Sequence, residues 1–353
     1  MKSLRINQGF TLIELMIGLA LSTTIVLAIT AIFLSNSESY RINTAQGQIQ
    51  ESGRFAIELM SHDIRMTDTW GCAGNSLQPE LPEPGQNIDL TKDALAVGFF
   101  RNTLRPTAGY SGQYQVPLEG HLDDDDNDLG QITAGFTLDE TSDILTIRRG
   151  SSKTFDILPD SYDSDDDTNA DVSFQSNAQA DDLDWDQPIF LLNAQCNFAA
   201  VVNVNRANNG IISLADDEII PGANYESGFI GQAISNTYFI ADSAVEPGIN
   251  ALWLSRNGVT EELVTGIQSM RIHYGEGANQ VDTYVRANDV GDWDDVRAIR
   301  IQLIAVGEPT NISDGDQSHR LFNYNAPNQD VVLPGNRIGQ SFVTTVTLRN
   351  RVR

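Results

Sequence analysis

From Phe10 to Leu34 the chain reads FTLIELMIGLALSTTIVLAITAIFL, an apolar run with a single charge, Glu14. A helix of that length reaches across a hydrocarbon core of about 30 Å, so the run predicts a membrane-spanning segment close to the N-terminus. Lys2 and Arg5 precede it and Arg41 follows it. Cationic residues favour the cytoplasmic side of a bilayer, which predicts a cytoplasmic N-terminus and an exported C-terminal portion.

Two ordinary readings of such a run are a cleaved secretory signal and a plain membrane anchor. A secretory signal has a shorter apolar region that closes on a small-residue cleavage site, whereas this run continues into a polar stretch with helical spacing. A plain anchor has no use for Glu14, whose carboxylate costs ~2.5–3.5 kcal/mol near the middle of a bilayer. A charge in that position implies a partner or a task.

The residues around it supply one. Gly9-Phe10-Thr11-Leu12-Ile13-Glu14 resembles the type IV prepilin signature: a leader ending in glycine, then phenylalanine, with glutamate at the fifth mature position. The resemblance implies that a membrane aspartyl peptidase cuts after Gly9 on the cytoplasmic side, and that Phe10 becomes N-methylphenylalanine. It also implies a role for Glu14 in axial register, through the amine of a neighbouring subunit. Physically this is coherent, because a carboxylate in the first turns of a helix is favoured by the backbone dipole, and a buried charge serves register better than stability.

Beyond Leu34, residues Ile42, Ala45, Ile49, Ser52, Ala56, Leu59 and Met66 recur at helical spacing, with no proline before Pro79. The pattern predicts one helix from Phe10 to about Arg65, roughly 80 Å long at ~1.5 Å per residue, with its second half laid on a globular head. Gly47 and Gly53, each worth ~1 kcal/mol against alanine in a helix, are where such a helix would break or bend. After Trp70-Gly71-Cys72 the periodicity shortens. Strands are expected at Leu95–Phe100, Ile144–Arg148, Ile189–Leu192, Ala200–Val204 and Thr237–Ala241. A hairpin of Ala251–Ser255 and Val259–Val264 is expected across Asn257-Gly258, and alternation marks further strands through Met270–Tyr274, Ile299–Leu303 and Phe342–Leu348.

A second resemblance joins the two ends of the chain. Trp70-Gly71-Cys72, the segment Glu262-Leu263-Val264-Thr265-Gly266-Ile267 running into Met270 and Tyr274-Gly275, Trp293 before the Val296–Ile304 strand, and the tail Thr344-Thr345-Val346-Thr347-Leu348-Arg349-Asn350-Arg351 are together similar to the PilW group of minor pilins. The region from about Gln78 to Asn250 carries no part of this likeness.

With 353 residues and 41% hydrophobic content, the chain can bury a substantial core. Its net charge of -26 concentrates between His121 and Asp186, where the basic residues are only Arg148, Arg149 and Lys153. Nucleic acid is a poor partner for such a surface. Cys72 and Cys196 are too few and too far apart for a zinc ribbon or a CxxC site. In an oxidising compartment they predict a single disulfide; the alternative is two separate buried thiols. Asp123, Asp125 and Asn127, and Asp163, Asp165 and Asp167, alternate as calcium ligands do. Neither run completes an EF-hand: Ala134 and Phe174 stand where the bidentate glutamate belongs. Solvated acidic loops are therefore expected, with no metal or other cofactor required. His62, His121, His273 and His319 are scattered and no catalytic motif surrounds them, so no enzyme active site is expected. Trp70, Trp185, Trp253 and Trp293 are expected to be core or loop-packing residues.

The expectation is an α+β, pilin-like chain: a leader over 1–9, a membrane and filament-core helix over 10–34, an amphipathic helical half over 35–67, and a β-rich head over 68–353 with an acidic insertion at about 120–186. Resemblance to PilW-type minor pilins implies a structural role in priming type IV pilus assembly at or near the tip. The partners implied are other minor pilins, the major pilin, prepilin peptidase, the inner-membrane assembly platform and a tip adhesin. The chain would sit in the inner membrane before assembly and in the pilus afterwards. Two alternatives remain: a J-like pseudopilin of type II secretion, and a tip-displayed, calcium-dependent binding module.

Overall fold

The computed structural model describes residues 11–67, 69, 71, 136–139, 142–159, 172–178, 182–185, 187–194, 199–202, 206–208, 211–214, 227–278, 280–291, 295–322 and 329–348. A single helix, α1 (Leu12–Arg65), opens the described chain. Thr11 caps it in a reciprocal box with Glu14, which satisfies backbone donors that a helix start leaves unpaired. The helix runs through both Gly47 and Gly53 without a break, about 81 Å at 1.5 Å per residue.

The strands follow in chain order: β1 (Leu145–Ile157), β2 (Val172–Gln175), β3 (Ile189–Asn193), β4 (Ala199–Val202), β5 (Arg206–Asn208), β6 (Ile211–Leu214), β7 (Gly228–Asp242), β8 (Asn250–Arg256), β9 (Val259–Thr265), β10 (Ile267–Glu276), β11 (Thr283–Val285), β12 (Val296–Val306), β13 (Ser318–Leu321), β14 (Gln329–Val332) and β15 (Gly339–Thr347). One sheet has the order β4-β3-β7-β8-β9, with β1 also paired to β7; a second has the order β11-β10-β12-β15. All these pairings are antiparallel. The observed architecture is thus α+β, with a long apolar N-terminal helix packed on antiparallel sheets.

Asn257-Gly258 makes the expected turn between β8 and β9, both residues taking positive φ as a tight primed turn requires. At Gly266 the chain steps from the first sheet into the second. Its φ is +82°, and a Cβ there would stand 2.8 Å from the Val306 carbonyl oxygen, so only glycine fits the step. The main core lies where the two sheets and the helix meet. Leu145, Ile147, Tyr238, Ile240, Leu252 and Leu254 come from the first sheet, Met270, Ile272, Ile299, Ile301 and Leu303 from the second, and Ile49, Ala56, Met60 and Ile64 from α1. The other face of the second sheet is covered near Ile304 and Val306 by Leu321, Val331 and Leu333, which belong to and follow the β13–β14 hairpin.

Two strands run much further than their apolar centres predict. β1 continues through Arg148, Arg149 and Lys153 to Ile157, and β7 begins at Gly228, well before Thr237. The extensions pair with each other, and the Phe190 ring lies against Gly150 and Gly231, where a Cβ on either strand would collide with it. β1 also places the middle of the acidic 120–186 stretch within the first sheet. The expected strand Leu95–Phe100 lies outside the described residues.

Candidate functional site

The most conspicuous surface is the first half of α1. Leu12, Ile13, Leu15, Met16, Ile17, Leu19, Leu21, Ile25 and their neighbours through Leu34 are all exposed. By length and composition this helix can cross a membrane, and the most apolar part of it has no buried residue. Exposure of apolar surface on this scale marks a membrane or protein contact. Ser22, Thr23, Thr24 and Thr30 do not interrupt it, because each hydroxyl donates to a backbone carbonyl one turn earlier.

Glu14 sits at the start of this surface. Its Oε2 accepts the Thr11 amide at 3.0 Å and the Thr11 hydroxyl at 2.8 Å, while the Thr11 Oγ1 accepts the Glu14 amide at 3.3 Å. The carboxylate is therefore held over the helix N-terminus by its own chain. Gly9 and Phe10 lie outside the described residues.

The second half of α1 is different. Ala45, Ile49, Gly53, Ala56, Met60 and Ile64, spaced three or four residues apart, form a buried stripe that packs on β9, β12 and β15. Gly53 admits the Phe342 ring of β15, which a Cβ would strike, and Ala45 faces Gly307, where an added Cβ would lie 2.9 Å from the alanine Cβ. Gly47 has no such neighbour. Where the helix leaves the head, Arg41 donates to the Thr310 carbonyl at 2.7 Å and Gln48 to the Glu308 carboxylate at 2.9 Å. A groove of about 560 Å³ lies between Ile42, Gln46 and Gln50 of the helix and Ile312, Gln317 and Gln340 of the head.

At its C-terminal end the helix is tied to the first sheet by a buried carboxylate. Asp63 accepts from the Arg149 guanidinium at 3.2 Å, from the Tyr238 hydroxyl at 2.6 Å, and from the Asn236 side-chain amide. Arg256 in turn donates to Asn236 at 3.2 Å. Burial and the nearby Asp63 charge push the Tyr238 phenol far above its ordinary range, so it stays a donor. Asp63 points inward while its sequence neighbour His62 is exposed, so the partners of the carboxylate lie across the fold. The signal was present in the sequence, since an aspartate falls on the apolar stripe three residues after Met60.

A second buried polar cluster supports β10 from behind. Asp143 accepts from Arg286 at 2.6 Å and from the Ile272 amide at 2.7 Å, with the Arg271 guanidinium at 3.5 Å. Burial pushes the Asp143 carboxyl up against the pull of the two arginines, and burial lowers Arg271. His273, on the same strand face, is driven down to about 4, chiefly by burial and then by the charges of Arg271, Arg286 and Arg300. It is a neutral histidine buried in the interior. Trp253 is likewise interior: its indole N–H donates to the Asp242 carbonyl at 3.2 Å, and its ring packs edge-on to Phe136 at 4.7 Å.

Among the described residues, no three His, Cys, Asp or Glu side chains are grouped to hold a metal ion. The calcium candidates Asp123, Asp125, Asn127, Asp163, Asp165 and Asp167, the cysteines Cys72 and Cys196, and Trp70, Trp293 and His121 lie outside the described residues.

The strands that seat the helix coincide with a family match. The family model described as Type IV Pilus-assembly protein W matches residues 237–350. That span runs from within β7 to just past β15 and contains β9, β12 and β15, on which α1 lies. The match supports a type IV pilus-related protein. It covers about a third of the chain, and the family is one of assembly proteins rather than enzymes. No curated protein and no solved structure matches the chain. Of the sequence features read above, Glu262–Ile267 with Met270 and Tyr274-Gly275, Trp293 before the Val296–Ile304 strand, and the Thr344–Arg351 tail up to Asn350 fall within the matched span; Trp70-Gly71-Cys72 falls outside it.

Proposed function

We propose that the chain is a minor pilin of the PilW type that primes assembly of the type IV pilus, at or near its tip. The observation that carries this reading is that the PilW match falls on the strands that seat the N-terminal helix. That helix extends its uncovered apolar half away from the head, as a subunit needs in order to pass from membrane to filament. In this reading the leader is cut after Gly9 and Phe10 is methylated. The new amine of a neighbouring subunit then competes with Thr11 for Glu14, and the carboxylate leaves its own helix cap to set register. In such an exchange one cationic donor replaces two neutral ones, and a charge-assisted hydrogen bond is the stronger kind.

Before assembly the chain is a single-pass inner-membrane protein with its N-terminus in the cytoplasm and its head in the periplasm, where Cys72 and Cys196 form a disulfide. Its partners are the other minor pilins, the major pilin, prepilin peptidase and the assembly platform. Deleting the gene tests the reading, with surface pili and twitching scored beside secreted exoproteins. Loss of pili with normal secretion is expected; normal pili with blocked secretion would make the chain a J-like pseudopilin instead. N-terminal mass spectrometry of the mature protein is expected to find methylated Phe10, and an intact Met1 would overturn the processing step.

A further inference from the structure

β15 runs in the same direction as α1. Its first residue, Gly339, pairs with Val306 beside the contact of Gly307 with Ala45, and further along Phe342 meets Gly53. The start of β15 and the end of β12 therefore lie at the end of the head nearest the apolar half of the helix. Three loops are joined there by one buried side chain. Arg337 donates to the carbonyls of Glu308 at 3.0 Å, Gly248 at 3.2 Å and Pro334 at 3.0 Å, which ties the loops after β7, β12 and β14 into a single lip. The amides of Asn311 and Ile312 add bonds to the Gly335 and Asn336 carbonyls at 2.9 and 3.0 Å. Arg41 then fastens the lip to the helix through the Thr310 carbonyl at 2.7 Å.

That attachment sets the height of the lip above a bilayer. Arg41 is seven residues past Leu34, the end of the apolar run, or about 10 Å along a helix. Headgroups extend roughly 5–8 Å beyond the hydrocarbon core on each side. A lip bonded to Arg41 therefore stands at the outer boundary of the headgroups when the run fills the core. Their charges lie within the screening length of about 8 Å at physiological ionic strength. Tyr40, 73% exposed on the helix, sits at the same level, and tyrosine is enriched at membrane interfaces. Asp242, Glu308, Asp314 and Asp316 are exposed on the lip, against Arg41 on its helix side.

We infer that this lip is a contact surface for phospholipid headgroups of the leaflet from which the head emerges, and that it takes zwitterionic headgroups in preference to anionic ones. Such a contact presupposes the reading of α1 as a membrane helix with an exported head, and gives the head a task before assembly. Position and charge select the occupant. The bilayer that holds Leu12–Leu34 brings its headgroups to the lip, because Arg41 and the Ala45–Gly307 contact fix the lip to the same rigid helix. In ethanolamine and choline lipids the ammonium is the outermost group, and the lip carboxylates face it with the opposite sign. A glycerol headgroup offers only its phosphate, which like charge disfavours. Because the lip lies on one side of α1, the contact also fixes the rotation of the helix in the bilayer, so a waiting subunit presents a defined face.

The test uses the full chain reconstituted in lipid nanodiscs. A fluorescent residue replaces Val245 in the loop after β7 or, separately, Val259 beyond the far end of β8; the two valines are 73% and 71% exposed. A lipid spin-labelled on its headgroup serves as quencher. In discs of phosphatidylethanolamine and phosphatidylcholine, strong quenching is expected at 245 and little at 259. Replacing part of the lipid with phosphatidylglycerol at low salt is expected to weaken quenching at 245, and either high salt or Asp314→Asn/Asp316→Asn to restore it. Equal quenching at the two positions, or quenching at 245 that phosphatidylglycerol leaves unchanged or strengthens, would overturn the inference. Alkaline carbonate extraction separates this outcome from failure of the reading beneath it. A chain that stays in the membrane with position 245 unquenched sinks the lip contact alone, whereas a chain released by carbonate sinks the membrane helix itself.

Discussion

The two halves of α1 share one continuous backbone and have opposite surroundings. From Leu12 to Leu34 every side chain is exposed, and among the described residues nothing in the chain's own head covers this half. From Ala45 to Ile64 a stripe one face wide is buried against the sheets. A helix that is apolar all round has no preferred face, so only lipid or other helices can satisfy it; a helix apolar along one stripe is satisfied by a single sheet. The boundary is marked by composition. Ser35, Asn36, Ser37, Glu38 and Ser39 stand between the halves, and the head's first grips, Arg41 and Gln48, come just after them. One half therefore belongs to the fold and the other to whatever the fold joins.

The sharpest way to break this division is at Asp63. Asp63→Ala leaves Arg149, Tyr238 and Asn236 without their shared acceptor, and removing one partner of a buried ion pair typically costs about 3–5 kcal/mol. A drop of that size in the stability of the detergent-solubilised full chain is expected in thermal or denaturant unfolding. A loss under 1 kcal/mol would show that the head does not depend on this tie.

Acid should loosen the same seat from the opposite side of β10. His273 is lowered in the folded protein to about 4 from an ordinary 6.5. The unfolded chain therefore binds the proton first, and the neutral histidine's contribution is complete above pH 6.5 and disappears as pH falls toward 4. The loss is on the order of 3 kcal/mol by linkage, superimposed on the carboxylates' own titration. His273→Gln removes this component, so the variant's stability should fall less steeply than the parent's between pH 6.5 and 4. Parallel curves would show that the imidazole is not held neutral.

Gly53→Val drives a side chain into the Phe342 ring and should cost about 1–3 kcal/mol, as overpacking of a core does. Gly47→Ala, on the open side of the same helix, should be neutral or stabilising by up to about 1 kcal/mol. A double variant with Phe342→Ala should recover part of the Gly53→Val loss in a mutant cycle, and simple additivity would refute the contact. Leu27→Ala, in the exposed half, should change head stability by less than about 0.5 kcal/mol. At the small end of the scale, millimolar calcium against a chelator should leave the melting temperature unchanged if the acidic loops are merely solvated; a clear rise would revive a calcium-binding head.

Periodicity made α1 legible almost to the residue, and the hairpin at Asn257-Gly258 and the strands β8, β9, β10, β12 and β15 were legible from alternation. What alternation missed were the extensions of β1 beyond Arg148 and of β7 before Thr237, because Arg149 and Lys153 look like loop residues until Asp63 takes up the arginine and β7 pairs with the strand that carries both. Gly53 reads in sequence as a weak point of the helix and in the fold as the gap that receives Phe342. The distinction between Gly47 and Gly53 depends on a residue almost 300 positions away, which no local pattern encodes.

By itself the sequence determined that a long helix begins the chain, that its first half has no polar face, and that a β-rich head follows, since these depend on composition and spacing over a few turns. Only the tertiary structure decided which face of the second half is buried, which carboxylate ties it down, and that β15 forms part of the seat. Those outcomes come from contacts between distant segments, whose energies depend on a geometry that exists only once the chain has closed on itself.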